Sequence, residues 1–331
     1  MSSFSNLYRE EKDKIVCQLC QHYCHLKDGQ IGVCGVNKNE GGKLLNLVYG
    51  KISAINLDPI EKKPLYHFLP SSNSLSIGTV GCNFKCPFCQ NWQISQTSNL
   101  EGSYSVTPQE LVNIAIENGA KSISYTYNEP TIFWTFAKDV AILAKDAGLK
   151  NVFVSNGFES KEVIEDAKGL LDAFNIDLKS FNKDYYKKSL KGNLDGVLDT
   201  IKRVASSGFW LEITTLIVPE VNDSDKELEQ IAKFISSIDR DIPWHISAFH
   251  PDYKEIDKEA TPVERLKKAY KIGKDVGLNY VYIGNILDDG VTRCPNCGEE
   301  LIKRVGFSVV ENRLIDGACF KCKTKIAGVW R

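Results

Sequence analysis

The sequence predicts an α/β fold: a parallel sheet, open or closed as a barrel, with a cysteine-rich module before it and another after it. Three observations lead there. Strand and helix signals alternate between about residue 71 and about residue 290. The 11 cysteines fall into groups of four, three and four, with none left over. The groups of four lie outside the alternating stretch, within residues 1–70 and 291–331.

In the first module Cys17, Cys20, Cys24 and Cys34 follow a C-x2-C-x3-C-x9-C pattern, with His22 and His25 interleaved. Four thiolates suffice for one tetrahedral zinc or one fully ligated iron–sulfur cluster. The run lacks the Cys-Pro ending of ferredoxin motifs, so the balance leans to zinc and a second cluster stays open.

In the middle segment the candidate strands are 74–80, 122–127, 151–156, 174–179, 210–217, 244–249 and 280–284, each short and rich in β-branched, aromatic or aliphatic residues. Helical patterns lie between them. Thr107-Pro108-Gln109-Glu110 opens one with a cap, a proline at the first helical position and a capping-box glutamate. Thr261-Pro262-Val263-Glu264 is expected to repeat the device, with its helix ending near Gly277. In parallel sheets the chemistry gathers at the carboxyl ends of the strands.

In the last module Cys294-x2-Cys297 and Cys319-x2-Cys322 have the spacing of a zinc ribbon or a rubredoxin-like iron site, with zinc favoured. The nearby lysines and arginines read as solvated charges, so nucleic acid is not an expected partner. The whole 331-residue chain carries a net charge of −1, which gives no pull toward nucleic acid or anionic membrane. No run approaches the roughly 18 apolar residues of a spanning helix. The first residues have no apolar signal-peptide core, and the expected location is the cytoplasm.

The group of three is the most informative. Cys82-Asn83-Phe84-Lys85-Cys86-Pro87-Phe88-Cys89 places CxxxCxxC just after the first candidate strand. A [4Fe–4S] cluster normally takes four thiolates, so three leave one iron open to a small molecule. A structural zinc would want a fourth protein ligand, and none lies in the loop. The motif resembles the signature of the radical S-adenosylmethionine superfamily. The resemblance implies a partial (β/α)6-type TIM barrel in which Cys82, Cys86 and Cys89 hold the cluster and Phe88 lies beside the cofactors. It implies that the methionine amino and carboxylate groups of S-adenosylmethionine chelate the open iron. One electron then breaks the S–C5′ bond, and the 5′-deoxyadenosyl radical abstracts a substrate hydrogen. A sulfonium is hard to reduce, so the cluster must sit low in the range of about −700 to +450 mV, fed by a low-potential electron donor.

Further positions follow from the same resemblance. Tyr127-Asn128-Glu129-Pro130 resembles the superfamily's glycine-glycine-glutamate motif, with Glu129 accepting from the S-adenosylmethionine ammonium and Asn128 beside it. Asn156, Asp177 and Lys179 resemble the ribose and carboxylate contacts of activase-type members. Asp177 and Lys179 share a face by strand alternation, and an ion pair is the structural alternative. Glu212 and Thr214 are expected to face the same cavity, and His250 is a candidate acid or base at the substrate site.

Longer segments narrow the family. Gly29–Val36, Asp58-Pro59-Ile60-Glu61-Lys62-Lys63-Pro64-Leu65-Tyr66-His67-Phe68 and Cys89-Gln90-Asn91-Trp92 resemble the AmmeMemoRadiSam system radical enzymes, relatives of pyruvate formate-lyase activating enzymes. That implies Memo-like and AMMECR-like partners and leaves the substrate open. The alternatives are a glycyl-radical enzyme activase, or a non-catalytic adaptor built on metal-bound cysteine modules.

Overall fold

The computed structural model describes residues 3–286 and 290–331. An eight-stranded sheet organises it, with strands β1 (Ala54–Pro59), β2 (Asn73–Gly78), β3 (Ser122–Tyr125), β4 (Lys150–Ser155), β5 (Ala173–Asp177), β6 (Trp210–Ile217), β7 (Trp244–Ala248) and β8 (Val281–Gly284). Their spatial order is their chain order, parallel throughout except that β1 runs antiparallel to β2. Thus residues 54–59, within the stretch assigned to the first module, supply the edge strand of the central sheet. Among the described residues β1 and β8 do not pair with each other, so the sheet stays open.

Helices α1 (Pro108–Glu117), α2 (Trp134–Asp146), α3 (Lys161–Asp166), α4 (Leu194–Ala205), α5 (Asp225–Ile238) and α6 (Val263–Val276) each follow one strand from β2 to β7. Consecutive parallel strands joined by right-handed crossovers put all helices on one face. The expected capping box forms at α1: Thr107 accepts from the Glu110 N–H, and Glu110 accepts from the Thr107 N–H at 2.8 Å. At α6 it does not form. Pro262 holds the cap position, and the Thr261 hydroxyl instead donates to Ile217 O and accepts from the Phe249 N–H at 2.8 Å. The threonine ties two strand ends together rather than starting a helix. Gly277 ends α6 at φ +100°, a conformation that glycine adopts without strain.

The helix-facing side of the sheet packs Phe153, Phe174, Ile213 and Ile246, all fully buried. Each contributes roughly 1.5–3 kcal/mol by leaving water. The opposite side is the interior. Its lower end is filled by Ile60, Leu65 and Phe68, which pack on Val152 and Ala173. The chain end joins this floor: Val329 exchanges backbone hydrogen bonds with His67 and Leu69 at 2.7 Å each.

The two cysteine modules sit at opposite ends of the sheet. The last one, an antiparallel sheet of Thr292–Arg293, Glu300–Val305 and Ser308–Asn312, packs Leu301 and Ile302 against Tyr66, Tyr280 and Tyr282 at the floor. The first contacts loops leaving the carboxyl ends of the strands. Thr131 donates to Leu19 O, Gln21 N–H to Phe158 O, and His22 Nε2 lies 2.9 Å from Asn83 O.

Candidate active site

The loop after β2 carries the three cysteines to the carboxyl end of the sheet. Gly81 turns it at φ +87°, and a Cβ there would lie 2.6 Å from Cys34 O, so only glycine fits. Cys82 and Cys86 are buried and Cys89 is partly exposed. The Phe84 N–H donates to Cys82 Sγ at 3.4 Å, and Ser95 Oγ lies 3.1 Å from Cys89 Sγ. Burial raises the Cys82 thiol strongly and pushes Cys86 up to about 12 against the pull of Lys179. Loading a metal therefore releases protons from buried thiols.

The cavity beside these sulfurs is lined by Asn128, Glu129, Asn156, Asp177 and Lys179, so five of the residues expected from the sequence meet the cysteines in one place. Phe88 is buried behind the loop, its ring 6.0 Å from Lys179 Nζ. The Asn128 amide is spent on the loop itself. It donates to Thr79 Oγ1 at 3.0 Å and Gly81 O at 2.8 Å, and accepts from the Thr79 N–H. Tyr127, left-handed at φ +69°, ends β3 two residues before the expected boundary. Its carbonyl accepts from Asn91 at 2.9 Å, and its hydroxyl donates to Asp58 at 3.0 Å.

Glu129 begins a 3-10 turn and accepts from the N–H groups of Thr131 and Asn156 and from the Ser155 hydroxyl. Even so, its carboxyl is held well above the ordinary range, by burial first and then by Glu159. Glu159 is also fully buried and is pushed up to about 7 by burial. Sequence reasoning missed Glu159; its only signal is an acid closely following the Ser155-Asn156-Gly157 turn. Lys179 and Asp177 pair at 2.7 Å. Burial works against the lysine charge, but Asp177 and Cys86 more than offset it and raise its pKa.

Other expected residues go elsewhere. Glu212 lies at the floor, not in the cysteine cavity, because it stands near the start of β6. It accepts from the Tyr66 and His67 N–H groups, from the Trp210 indole and from His245 at 2.6 Å. Thr214 donates to Asn175 at 2.9 Å. His250 is exposed, with Nε2 at 2.9 Å from the Gln90 amide.

The donor set suits a cluster with an attached cationic molecule. Beside the cavity lining, Asn83 Nδ2 is buried without a hydrogen-bond partner next to Asn156, and so are both oxygens of Glu159, which does not itself line the cavity. Two buried carboxyls face one another there, which a cation would relieve. The sulfurs of the three cysteines do not all lie within 4.8 Å of one another, whereas those of Cys294, Cys297, Cys319 and Cys322 do. In that last quartet two sulfur pairs stand 3.5 and 3.7 Å apart. A tetrahedron built on metal–sulfur bonds of about 2.3 Å has edges of about 3.8 Å, so this quartet is shaped for one metal ion. Thr324, through its hydroxyl and N–H, holds Cys322 down at about 5, which readies a thiolate.

Known proteins agree with this geometry. The family model for the Radical SAM superfamily matches residues 76–235. An uncharacterised protein of Methanocaldococcus jannaschii is 42% identical over 302 residues, 90% of either chain. The pyruvate formate-lyase-activating enzyme of Clostridium pasteurianum is 25% identical over 59% of this chain and 88% of its own. GTP 3′,8-cyclase of Helicobacter pylori is 29% identical over 47% of this chain and 50% of its own. Among solved structures, a radical SAM methyltransferase from Sphaerobacter thermophilus superposes with a TM-score of 0.53 at 17% identity, covering 66% of this chain and 68% of that one. Streptococcus suis SuiB bound to S-adenosylmethionine gives 0.51 at 16%, covering 68% and 52%. With three cysteines at the carboxyl end of a parallel sheet and relatives of this kind, the chain belongs to the radical SAM superfamily, as an enzyme related to the pyruvate formate-lyase activating enzymes.

Proposed function

We propose that Cys82, Cys86 and Cys89 hold a [4Fe–4S] cluster whose open iron binds S-adenosylmethionine, and that the enzyme generates a radical to abstract hydrogen from its substrate. The observation that carries this reading is a three-thiol loop, without a fourth ligand of its own, lining one cavity with Glu129, Asp177 and Lys179. When bound, the cluster supplies one low-potential electron that cleaves the sulfonium to a 5′-deoxyadenosyl radical.

The protein's own groups do the rest. Glu129, held in place by Ser155 and Asn156, presents negative charge to the methionine ammonium. Lys179, paired to Asp177, stands beside Cys86 and meets the methionine carboxylate or the ribose. Asn156 orients Asn83, next to Cys82, through a 2.7 Å hydrogen bond. Asn128 fixes the cysteine loop. The chain is then read as a barrel core carrying two cysteine modules, the last of which binds zinc as a structural ion. Memo-like and AMMECR-like proteins are the proposed partners, and the likeness to a pyruvate formate-lyase-activating enzyme favours activation of a partner protein as the second reading.

The test is anaerobic reconstitution with iron and sulfide, reduction, and quantification of 5′-deoxyadenosine. Turnover that depends on both S-adenosylmethionine and reductant is expected. A fully loaded protein that leaves S-adenosylmethionine intact would favour the adaptor reading.

A further inference from the structure

The first cysteine quartet is not used by the site above, yet it is as carefully built. Cys17, Cys20 and Cys34 are buried. The four thiols converge closely enough that each of Cys17, Cys20 and Cys24 feels the charge of its fellows. The Asn37 side-chain amide donates to Cys34 Sγ at 3.5 Å, and the backbone at Leu19, His22 and Val33 pulls the Cys17, Cys20 and Cys24 thiols down against the burial that raises them. Amides aimed at sulfur serve thiolates, which in a buried cage means metal ligands.

The spacing separates the two kinds of metal. No three of these sulfurs lie within 4.8 Å of one another, whereas all four in the last quartet do. A single tetrahedral ion needs edges of about 3.8 Å. A cluster gives its thiolates to different irons and holds them wider apart, as the three-cysteine loop also does. Position points the same way. Cys34 O abuts Gly81, the residue before Cys82, and His22 meets Asn83 O, the residue after it.

We infer that Cys17, Cys20, Cys24 and Cys34 hold a second iron–sulfur cluster, fully ligated by thiolates, at the catalytic end of the sheet. This replaces the zinc toward which the spacing leaned. With no open iron it cannot bind S-adenosylmethionine; it accepts and returns one electron, taken from a low-potential one-electron donor.

The assignment does not rest on radical chemistry at the other loop, and its test removes that loop. In the full chain carrying Cys82→Ala, Cys86→Ala and Cys89→Ala, reconstituted without oxygen, iron and sulfide are expected in equal amounts. A reducible iron–sulfur spectrum should accompany them, together with zinc at the last quartet. Adding Cys20→Ser should remove that iron and sulfide and leave the zinc. If the triple variant does not fold, Cys20→Ser alone is measured: it should lose part of the wild-type iron and keep the spectral change that S-adenosylmethionine induces. Zinc without sulfide at the first quartet, or no metal there, overturns the assignment. A wild-type protein blind to S-adenosylmethionine overturns the proposed function and leaves the second cluster standing.

Discussion

Glu212 and Glu129 are both fully enclosed acids on the interior of one sheet, one near the floor and one at the mouth. At the floor, Glu212 has a donor on each side of both oxygens, and both His67 nitrogens and the Tyr282 hydroxyl are engaged. The carboxyl of Glu212 is accordingly lowered, because His245 and its other donors outweigh burial. At the mouth, Glu129 is raised, its neighbour Glu159 has two orphaned oxygens, and Asn83 has an orphaned amide. The cysteine groups divide the same way: four sulfurs drawn together within 4.8 Å at the floor, and sulfurs set wider apart at the mouth. Residue type does not separate structure from function here. For these two acids the degree to which each is already satisfied does, although the floor has orphaned atoms of its own in Glu61 Oε2 and Arg304 Nε.

The strongest test removes the mouth's ligands. Cys82→Ala, Cys86→Ala and Cys89→Ala should each abolish 5′-deoxyadenosine formation, since no spare thiol lies in the loop, while the Cys294–Cys322 metal stays bound. Normal product yield from any one of them would break the assignment. The reciprocal change is Cys294→Ser. It should release the floor metal and expose residues 291–331 to protease, because metal binding in small modules is folding energy, of order 10 kcal/mol in zinc fingers. Chemistry at the mouth should fall less than stability does. Limited proteolysis with metal analysis reads the first effect and product yield the second.

The difference also explains what the sequence made legible. Strand–helix alternation and three cysteine groups are local patterns, and they forecast the parallel sheet and the flanking cysteine modules; the six β–α units and the meeting of Cys82 with Glu129 and Lys179 are what the family resemblance implies. Glu212 was misread because alternation reports which face a side chain takes but not which end of the sheet it serves. Thr261 was misread because a capping pattern competes with tertiary partners, here Phe249 and Ile217. Glu159 was invisible, since its meaning lies in a neighbour 30 positions away in sequence, Glu129.

Within the mouth, Glu129→Gln sharpens the comparison. The cluster should load normally, and S-adenosylmethionine should bind about 10- to 150-fold more weakly, the equivalent of a charge-assisted bond of roughly 1.5–3 kcal/mol. Equilibrium binding by the spectral change on ligand addition measures it. An unchanged dissociation constant would reduce Glu129 to a cap on its 3-10 turn.

The smallest expected effect lies at the floor and is a pH dependence of stability. His67 is held down at about 4, chiefly by burial, with Arg304 and His245 adding to it against Glu212 and the Ala327 carbonyl. Its unfolded value is 6.5. Between those two values the unfolded chain binds a proton that the folded chain refuses. The contribution is therefore complete above the unfolded value and is lost as pH falls toward the folded one. From pH 6.5 to 5.5 the loss should be about 1 kcal/mol. Glu212, whose value is lowered, loses its own contribution only at still lower pH, so the two have the same sign but separate windows. Denaturant titrations across this range read the slope. His67→Phe should be less stable overall, because the Tyr282 hydroxyl and Ala327 carbonyl lose a partner, yet flatter between pH 6.5 and 5.5. Equal slopes in the two proteins would mean that His67 takes up its proton as readily in the fold as in the unfolded chain, and that burial does not hold it neutral beside Glu212.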